Sequence, residues 1–238
     1  MTGDGSAMRL LLFDIDGTLV HTSGAGKRAM LTTYEEVFGT VGAADGIQMA
    51  GMTDPLIARA ALGAHGYSHA EVDALLPQVW RRYPGHLARE LANPTNGRRA
   101  EACPGVCKLL SRLSDREDVV LALLTGNIEV AAWLKLAAVG LDRFFTFGAF
   151  GNDGPERERL PAVAIERAEL ETGHRFTGPD VVIIGDTPAD VACGRHLSVR
   201  TVAVATGPYT EDELRDAGAD VTLPDFTDTE RALAAILG

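Results

Sequence analysis

Leu10-Leu11-Leu12-Phe13-Asp14-Ile15-Asp16-Gly17-Thr18-Leu19 is the stretch from which the fold is read. Four consecutive apolar residues run into an acid, and a second acid follows two positions later. A short apolar run bounded by turn formers is the pattern of a strand buried on both faces. Ending such a strand in carboxylates costs free energy unless a metal or a hydrogen-bond network compensates. In an extended chain the side chains of Asp14 and Asp16 point the same way, so both can address one site. Two carboxylates side by side serve either a divalent metal or a nucleophile with a proton carrier.

Working outward, strand patterns recur at residues 119–124, 144–147, 181–184, 200–204 and 221–223. Helical patterns alternate with them at 106–113, 129–138, 161–171, 188–197 and 229–237. That alternation predicts an α/β fold, a Rossmann-like and mostly parallel sheet covered on both faces. Residues 24–91 break the rhythm, with helical patterns and no convincing strand. Helices are expected at 25–38, from Asp54 to 62 with Asp54 as N-cap and Pro55 in the first turn, and at 69–91. The last is expected to break near Pro77 and Pro84. The expected organisation is a discontinuous catalytic core, residues 8–20 and 100–238, with a small α-helical cap domain inserted at 21–99. Hinges are expected near 20–24 and 97–104.

At 238 residues with 46% hydrophobic content, the chain suits one large domain or a core with a smaller insert. The net charge of -11 disfavours nonspecific binding to nucleic acid or to an anionic membrane. It also means that a pocket for an anionic substrate must be built from local donors. No apolar stretch is long enough to span a bilayer, and residues 1–7 read as a small, polar leader without signal-peptide features. Cys103, Cys107 and Cys193 are too few and too scattered for a disulfide framework or a zinc set, and buried thiols in a reducing cytoplasm are expected. Nothing in the pattern bears on oligomeric state.

In a parallel sheet, sites form outside the carboxyl ends of the strands. Three ends carry complementary chemistry: Asp14-Ile15-Asp16-Gly17-Thr18, Thr125-Gly126-Asn127, and Gly185-Asp186-Thr187-Pro188-Ala189-Asp190. Taken alone, Thr125 and Asp186 read as caps of the helices that follow them. Three on one edge do not.

These motifs resemble the haloacid dehalogenase superfamily in its phosphatase branch, phosphoglycolate-phosphatase-like and with a helical cap. The resemblance runs from residue 9 to about 206. It implies a Mg2+-dependent phosphatase acting on a small phosphorylated metabolite. Asp14 would be the nucleophile that forms an aspartyl-phosphate, and Asp16 the acid that protonates the leaving alcohol and later the base for water. Asp14, the Asp16 backbone carbonyl and Asp186 would hold the ion, with Asp190 acting through water or from behind them. Thr125 would donate to a phosphoryl oxygen, assisted by Gly126, Asn127 and Thr18. The lysine usual in the third motif is missing, since no lysine follows Lys135. Arg157 is favoured over Arg159 as its replacement, because a guanidinium can hold phosphate through two parallel contacts.

In the insert, Gly51-Met52-Thr53-Asp54 resembles the loop that reaches into the site in phosphoglycolate-phosphatase-like proteins. Lys27, Arg28 and Arg59 are candidates to meet an anionic substrate, and His21 to line the hinge. Trp80-Arg81-Arg82-Tyr83 reads as helix packing with an exposed charged face. Asp16 argues against a dehalogenase, and the cap lacks a suitably placed lysine for a phosphonoacetaldehyde hydrolase. The alternatives are a beta-phosphoglucomutase, against which Thr18 weighs mildly, and a catalytically silent binding or regulatory relative.

Overall fold

The computed structural model describes residues 8–95 and 97–238, so the leader at 1–7 lies outside the described residues. The chain opens with β1 (Arg9–Phe13) and a short β2 (Val20–His21). Helices α1 (Ala25–Phe38), α2 (Asp54–Gly63) and α3 (His69–Ala92) follow, and then β3 (Glu101–Ala102). The remainder alternates: α4 (Val106–Ser114), β4 (Val119–Leu124), α5 (Glu129–Ala137), β5 (Gly148–Ala149), α6 (Leu160–Thr172), β6 (Val181–Gly185), α7 (Pro188–Cys193), β7 (Arg200–Val204), α8 (Glu211–Asp216), β8 (Val221–Leu223) and α9 (Thr229–Leu237).

Six strands form one parallel sheet in the order β5-β4-β1-β6-β7-β8. β1 lies between β4 and β6, and its side chains divide by parity. Leu11 and Phe13 enter one core with Leu109, Leu110 and Leu113 of α4 and Ile236 of α9. Leu10 and Leu12 enter the other, with Leu160, Ala164 and Ala168 of α6. That two-sided burial is why β1 is apolar at every position from Leu10 to Phe13 rather than at alternate ones.

The three helices between β2 and β3 have their own core, built on Tyr34, Phe38, Leu62, Val79, Tyr83 and Leu87. Ile128 and Ala131, at the start of α5, belong to the same cluster, so the insertion packs directly onto the main body. Its entry and exit strands pair with each other: β2 and β3 are antiparallel, Val20 opposite Ala102 and His21 opposite Glu101. This ribbon occupies the expected hinge segments.

Several local expectations are corrected. α3 runs unbroken through Pro77 and Pro84. Pro77 is exposed and Pro84 half-buried, while burial of Val72, Val79, Tyr83 and Leu87 along another stripe holds the helix together across the lost bonds. The strand expected at 144–147 lies at Gly148–Ala149. Phe145 instead turns into the core and meets Phe13 edge-on, with ring centroids 6.0 Å apart. Gly148 suits the pairing position, where a Cβ would stand 2.5 Å from that of Leu123. α7 stops at Cys193, and α8 was not expected, although Thr210 and Glu213 form a capping box at its start. Cys103 and Cys193 are buried, but Cys107 is exposed. Among the described residues no helix is long and apolar enough to cross a membrane.

Candidate active site

The sheet register brings the three polar strand ends to one edge. Phe13 pairs with Leu123 of β4 and with Ile184 of β6, so Asp14, Thr125 and Asp186 leave the sheet together. The Asp14 N–H donates to the Ile184 carbonyl at 2.9 Å, and the Thr125 N–H to Ala149 at 3.0 Å. After β1 the chain turns tightly, with the Leu19 and Val20 N–H groups both donating to the Ile15 carbonyl at 2.9 Å. Gly17 makes this possible: its φ is +81°, and a Cβ there would lie 2.4 Å from Asp186 Oδ2.

A cavity of about 630 Å³ lies between this edge and the helical insertion. Asp14, Asp16, Thr125, Gly126, Asn127, Arg157 and Asp186 line it from the sheet side. His21, Lys27, Met30, Met52, Asp54 and Tyr83 line it from the insertion and hinge.

The cavity contains two differently built charge clusters. In the first, Asp14, Asp186 and Asp190 are buried, with carboxylate oxygens within 4.8 Å of one another. Arg157 is buried among them, its Nη2 3.3 Å from Asp14 Oδ1 and hydrogen-bonded to Asp190 Oδ1. The other Asp190 oxygen accepts from Thr187 N–H at 3.0 Å and Oγ1 at 2.7 Å, which closes the first turn of α7. Burial pushes the Asp14 carboxyl up to about 7, against the pull of Arg157, and Asp190 and Asp16 add to the rise. Burial, then Asp190 and Asp14, push Asp186 up to about 9. Three carboxylates facing one guanidinium leave a local deficit of positive charge. An all-oxygen donor set with that deficit fits a hard divalent cation such as Mg2+. Asp14 and Asp186 have oxygens to offer it, while Asp190 is committed to Arg157 and the α7 turn.

The second cluster surrounds Asp16. Its Oδ2 accepts from Lys135 Nζ at 2.6 Å and from Asn127 Nδ2 at 2.7 Å. Asn127 Oδ1 accepts from the same ammonium at 2.6 Å. Thr125 Oγ1 accepts from the Asn127 side chain at 2.8 Å and its N–H at 3.3 Å, which leaves the threonine proton to donate.

The insertion is fastened to this edge by its second loop. The Asp54 N–H donates to Gly126 O at 2.7 Å, Asp54 Oδ2 accepts from Ile128 N–H at 2.8 Å, and Thr53 Oγ1 donates to Pro155 O at 2.7 Å. Gly126 permits this approach, since a Cβ there would lie 2.2 Å from Met52 O. Thr53, not Asp54, caps α2; the Asp54 carboxylate reaches across to the start of α5. Burial pushes that carboxyl up to about 6, against the pull of Lys135 and the Ile128 N–H.

Asp14, Asp16, Thr125, Gly126, Asn127, Arg157 and Asp186 thus all line one cavity. Arg159 is exposed, 3.9 Å from Glu156, so Arg157 is the arginine at the site. Thr18, expected at the phosphate, is buried away from the cavity and donates to Asp186 Oδ1 at 3.0 Å. Arg28 and Arg59 are paired with Glu90 and Asp73, and Lys27 with Asp45, although Lys27 still lines the cavity. Tyr83 is buried against the cavity, while Arg81 and Arg82 are exposed.

Lys135 is the site residue that sequence reasoning missed. Its signal was a lysine on the stripe of α5 that carries Ile128 and Ala131, three and four residues apart along one face. A charge on a buried stripe is seldom idle.

The chain matches the haloacid dehalogenase-like hydrolase family over residues 11–195. It is 28% identical to a phosphoglycolate phosphatase of Rhodospirillum rubrum over 219 residues, covering 92% of this chain and 88% of that one. It is 25% identical to the pyrophosphatase PpaX of Halalkalibacterium halodurans, covering 92% and 94%. A predicted phosphatase from Clostridium acetobutylicum, whose crystal structure is known, superposes with a TM-score of 0.72 at 18% identity, over 96% of this chain and 99% of that one. The strand-end acids, the parallel sheet and the helical insertion therefore have one explanation: this chain belongs to the haloacid dehalogenase-like hydrolase family, in its phosphatase branch.

Proposed function

We propose that the protein is a Mg2+-dependent phosphatase of a small phosphate monoester, phosphoglycolate or a sugar phosphate, acting through an aspartyl-phosphate. One observation carries the reading. Asp14 stands beside the Arg157 guanidinium in a cavity that Asp16, a second carboxylate with separate partners, also lines.

The chemistry follows from those positions. An Asp14 oxygen attacks phosphorus, and the ester oxygen departs with a proton from Asp16. Water then attacks the aspartyl-phosphate, gives its proton to Asp16, and releases inorganic phosphate and free Asp14. Thr125, with its proton free, donates to a phosphoryl oxygen, and Arg157 offsets charge on the transferring group. Gly126 and Asn127 shape the same wall. Asp14, Asp186 and the Asp16 carbonyl would hold Mg2+, which when bound would neutralise the charge shared by carboxylate and phosphate. Asp190 holds Arg157 and the α7 turn behind them. The helical insertion acts as a cap that keeps bulk water from the reacting centre. The expected setting is the cytoplasm.

The test is release of inorganic phosphate from p-nitrophenyl phosphate and a panel of phosphorylated metabolites, with and without Mg2+. Turnover that requires the metal and is abolished by Asp14→Asn is the expected result. No turnover of any ester, or transfer of phosphate within a sugar without release, overturns the proposal.

A further inference from the structure

We infer that Lys135 is a positioning residue that fixes Asp16 for proton transfer to the leaving oxygen. The inference rests on the phosphatase reading and adds a residue to it.

Asp16 occupies a loop, and its side chain is 44% exposed. The terminal torsion of a free aspartate is broad, so such a carboxylate would present either oxygen over a wide range of angles. Here two donors, Lys135 Nζ and Asn127 Nδ2, both go to Oδ2. Among the described residues no protein donor is assigned to Oδ1. Anchoring one oxygen leaves the other, Oδ1, as the one that carries the proton. A carboxyl group positioned in this way has one geometry to offer rather than many, which is the condition for efficient acid catalysis.

The anchor is itself held. Lys135 is only 4% exposed, and it uses one ammonium proton on Asp16 and another on Asn127. The insertion closes over it. A Cβ at Gly26 of α1 would stand 3.4 Å from Nζ and 3.5 Å from the Tyr83 hydroxyl, so glycine leaves room for the ammonium beneath α1. Seating of the insertion thereby encloses the group that orients the acid. Lys135 is separate from the Arg157 cluster, which faces Asp14 and Asp190. The two cations divide the site between nucleophile and acid.

The experiment compares two esters that differ in their need for a proton. Phosphoglycolate expels an alkoxide and depends on the acid. p-Nitrophenyl phosphate expels a stabilised phenolate and depends on it little. For Lys135→Met we expect kcat on phosphoglycolate, or on the best alkyl ester of the panel, to fall about 100-fold, with a loss under about tenfold on p-nitrophenyl phosphate and KM moved less than about threefold. In an Asp16→Asn background the same substitution should cost less than about threefold, because the proton it positions is gone. Lys135→Gln, which keeps a donor able to reach Oδ2, should recover at least about tenfold of the phosphoglycolate rate lost in Lys135→Met, and it decides the matter by the same two-ester comparison if Lys135→Met does not fold. Equal losses on both esters, no loss on either, or full additivity with Asp16→Asn overturns the inference while leaving the phosphatase reading intact. Absence of wild-type turnover on every ester removes both.

Discussion

Asp54→Asn should stabilise the protein at alkaline pH, and the size of the gain can be worked out. The Asp54 carboxyl is buried where the insertion meets α5, and its value is raised from 3.8 to about 6, chiefly by burial. A folded-state value above the unfolded one means that the native protein binds the proton more tightly. Stability is therefore fullest below 3.8 and is lost as pH rises through about 6. The whole interval corresponds to about 3 kcal/mol at pH 8 and roughly half of that at pH 5. Asparagine removes the charge, and its amide oxygen keeps the bond from the Ile128 N–H. The variant should melt roughly 6–12 °C above wild type at pH 8, with the difference about halved at pH 5. Thermal unfolding followed by circular dichroism at both pH values is the assay. A variant that melts at or below wild type at pH 8, or a gain that does not shrink toward pH 5, would refute the reasoning. A position where charge is retained at a cost to stability is one where function has taken precedence.

Mg2+ binding near pH 7 should release protons, because Asp14 and Asp186 are raised to about 7 and about 9 without it. Calorimetry in buffers of different ionisation enthalpy reads this directly, and a buffer-independent heat would contradict it. At about a hundredfold excess over its Kd the ion should also add about 2.7 kcal/mol to stability. Arg157→Met strands Asp14 and Asp190 without their buried partner and should cost about 3–5 kcal/mol in chelator, less with Mg2+ present; equal costs in denaturant melts under both conditions would argue against a cation at these acids. Gly126→Ala places a methyl 2.2 Å from Met52 O and should unseat the loop before α2, raising amide exchange around residues 51–57 by about tenfold while β1 stays protected.

The parts of this molecule that were legible in sequence are those decided locally. β4, β6 and β1 from Leu10 onward are unbroken apolar runs because both faces are covered, and no distant residue is needed to recognise that. The acids that follow β1 and β6, Asp14 and Asp186, were legible because a carboxylate after such a run has no packing role. Side chains whose partner is distant in sequence were not legible. Asp54 sits beside Pro55 and imitates an N-cap, yet its acceptor serves Ile128, 74 residues away. Lys135 meets Asp16 across 119 residues, and Thr18 meets Asp186 across 168. Pro77 and Pro84 misled for the opposite reason, because tertiary packing of one stripe outweighed the local break. α8 carried its start signal, Thr210 to Glu213, but is too short for a periodic pattern to accumulate.

The β2–β3 ribbon joins the points where the chain departs from and returns to the sheet, Val20 beside Ala102. Neighbouring strands lie about 5 Å apart, so a short turn can replace everything between them without disturbing any sheet register. The helical segment is thus a cassette on a two-pin connector. A helical segment exchanged there has to reproduce the contacts that the present one makes with Gly126, Ile128 and Pro155, and is otherwise free to change what faces the cavity. The ribbon is therefore the natural graft point for retargeting this enzyme.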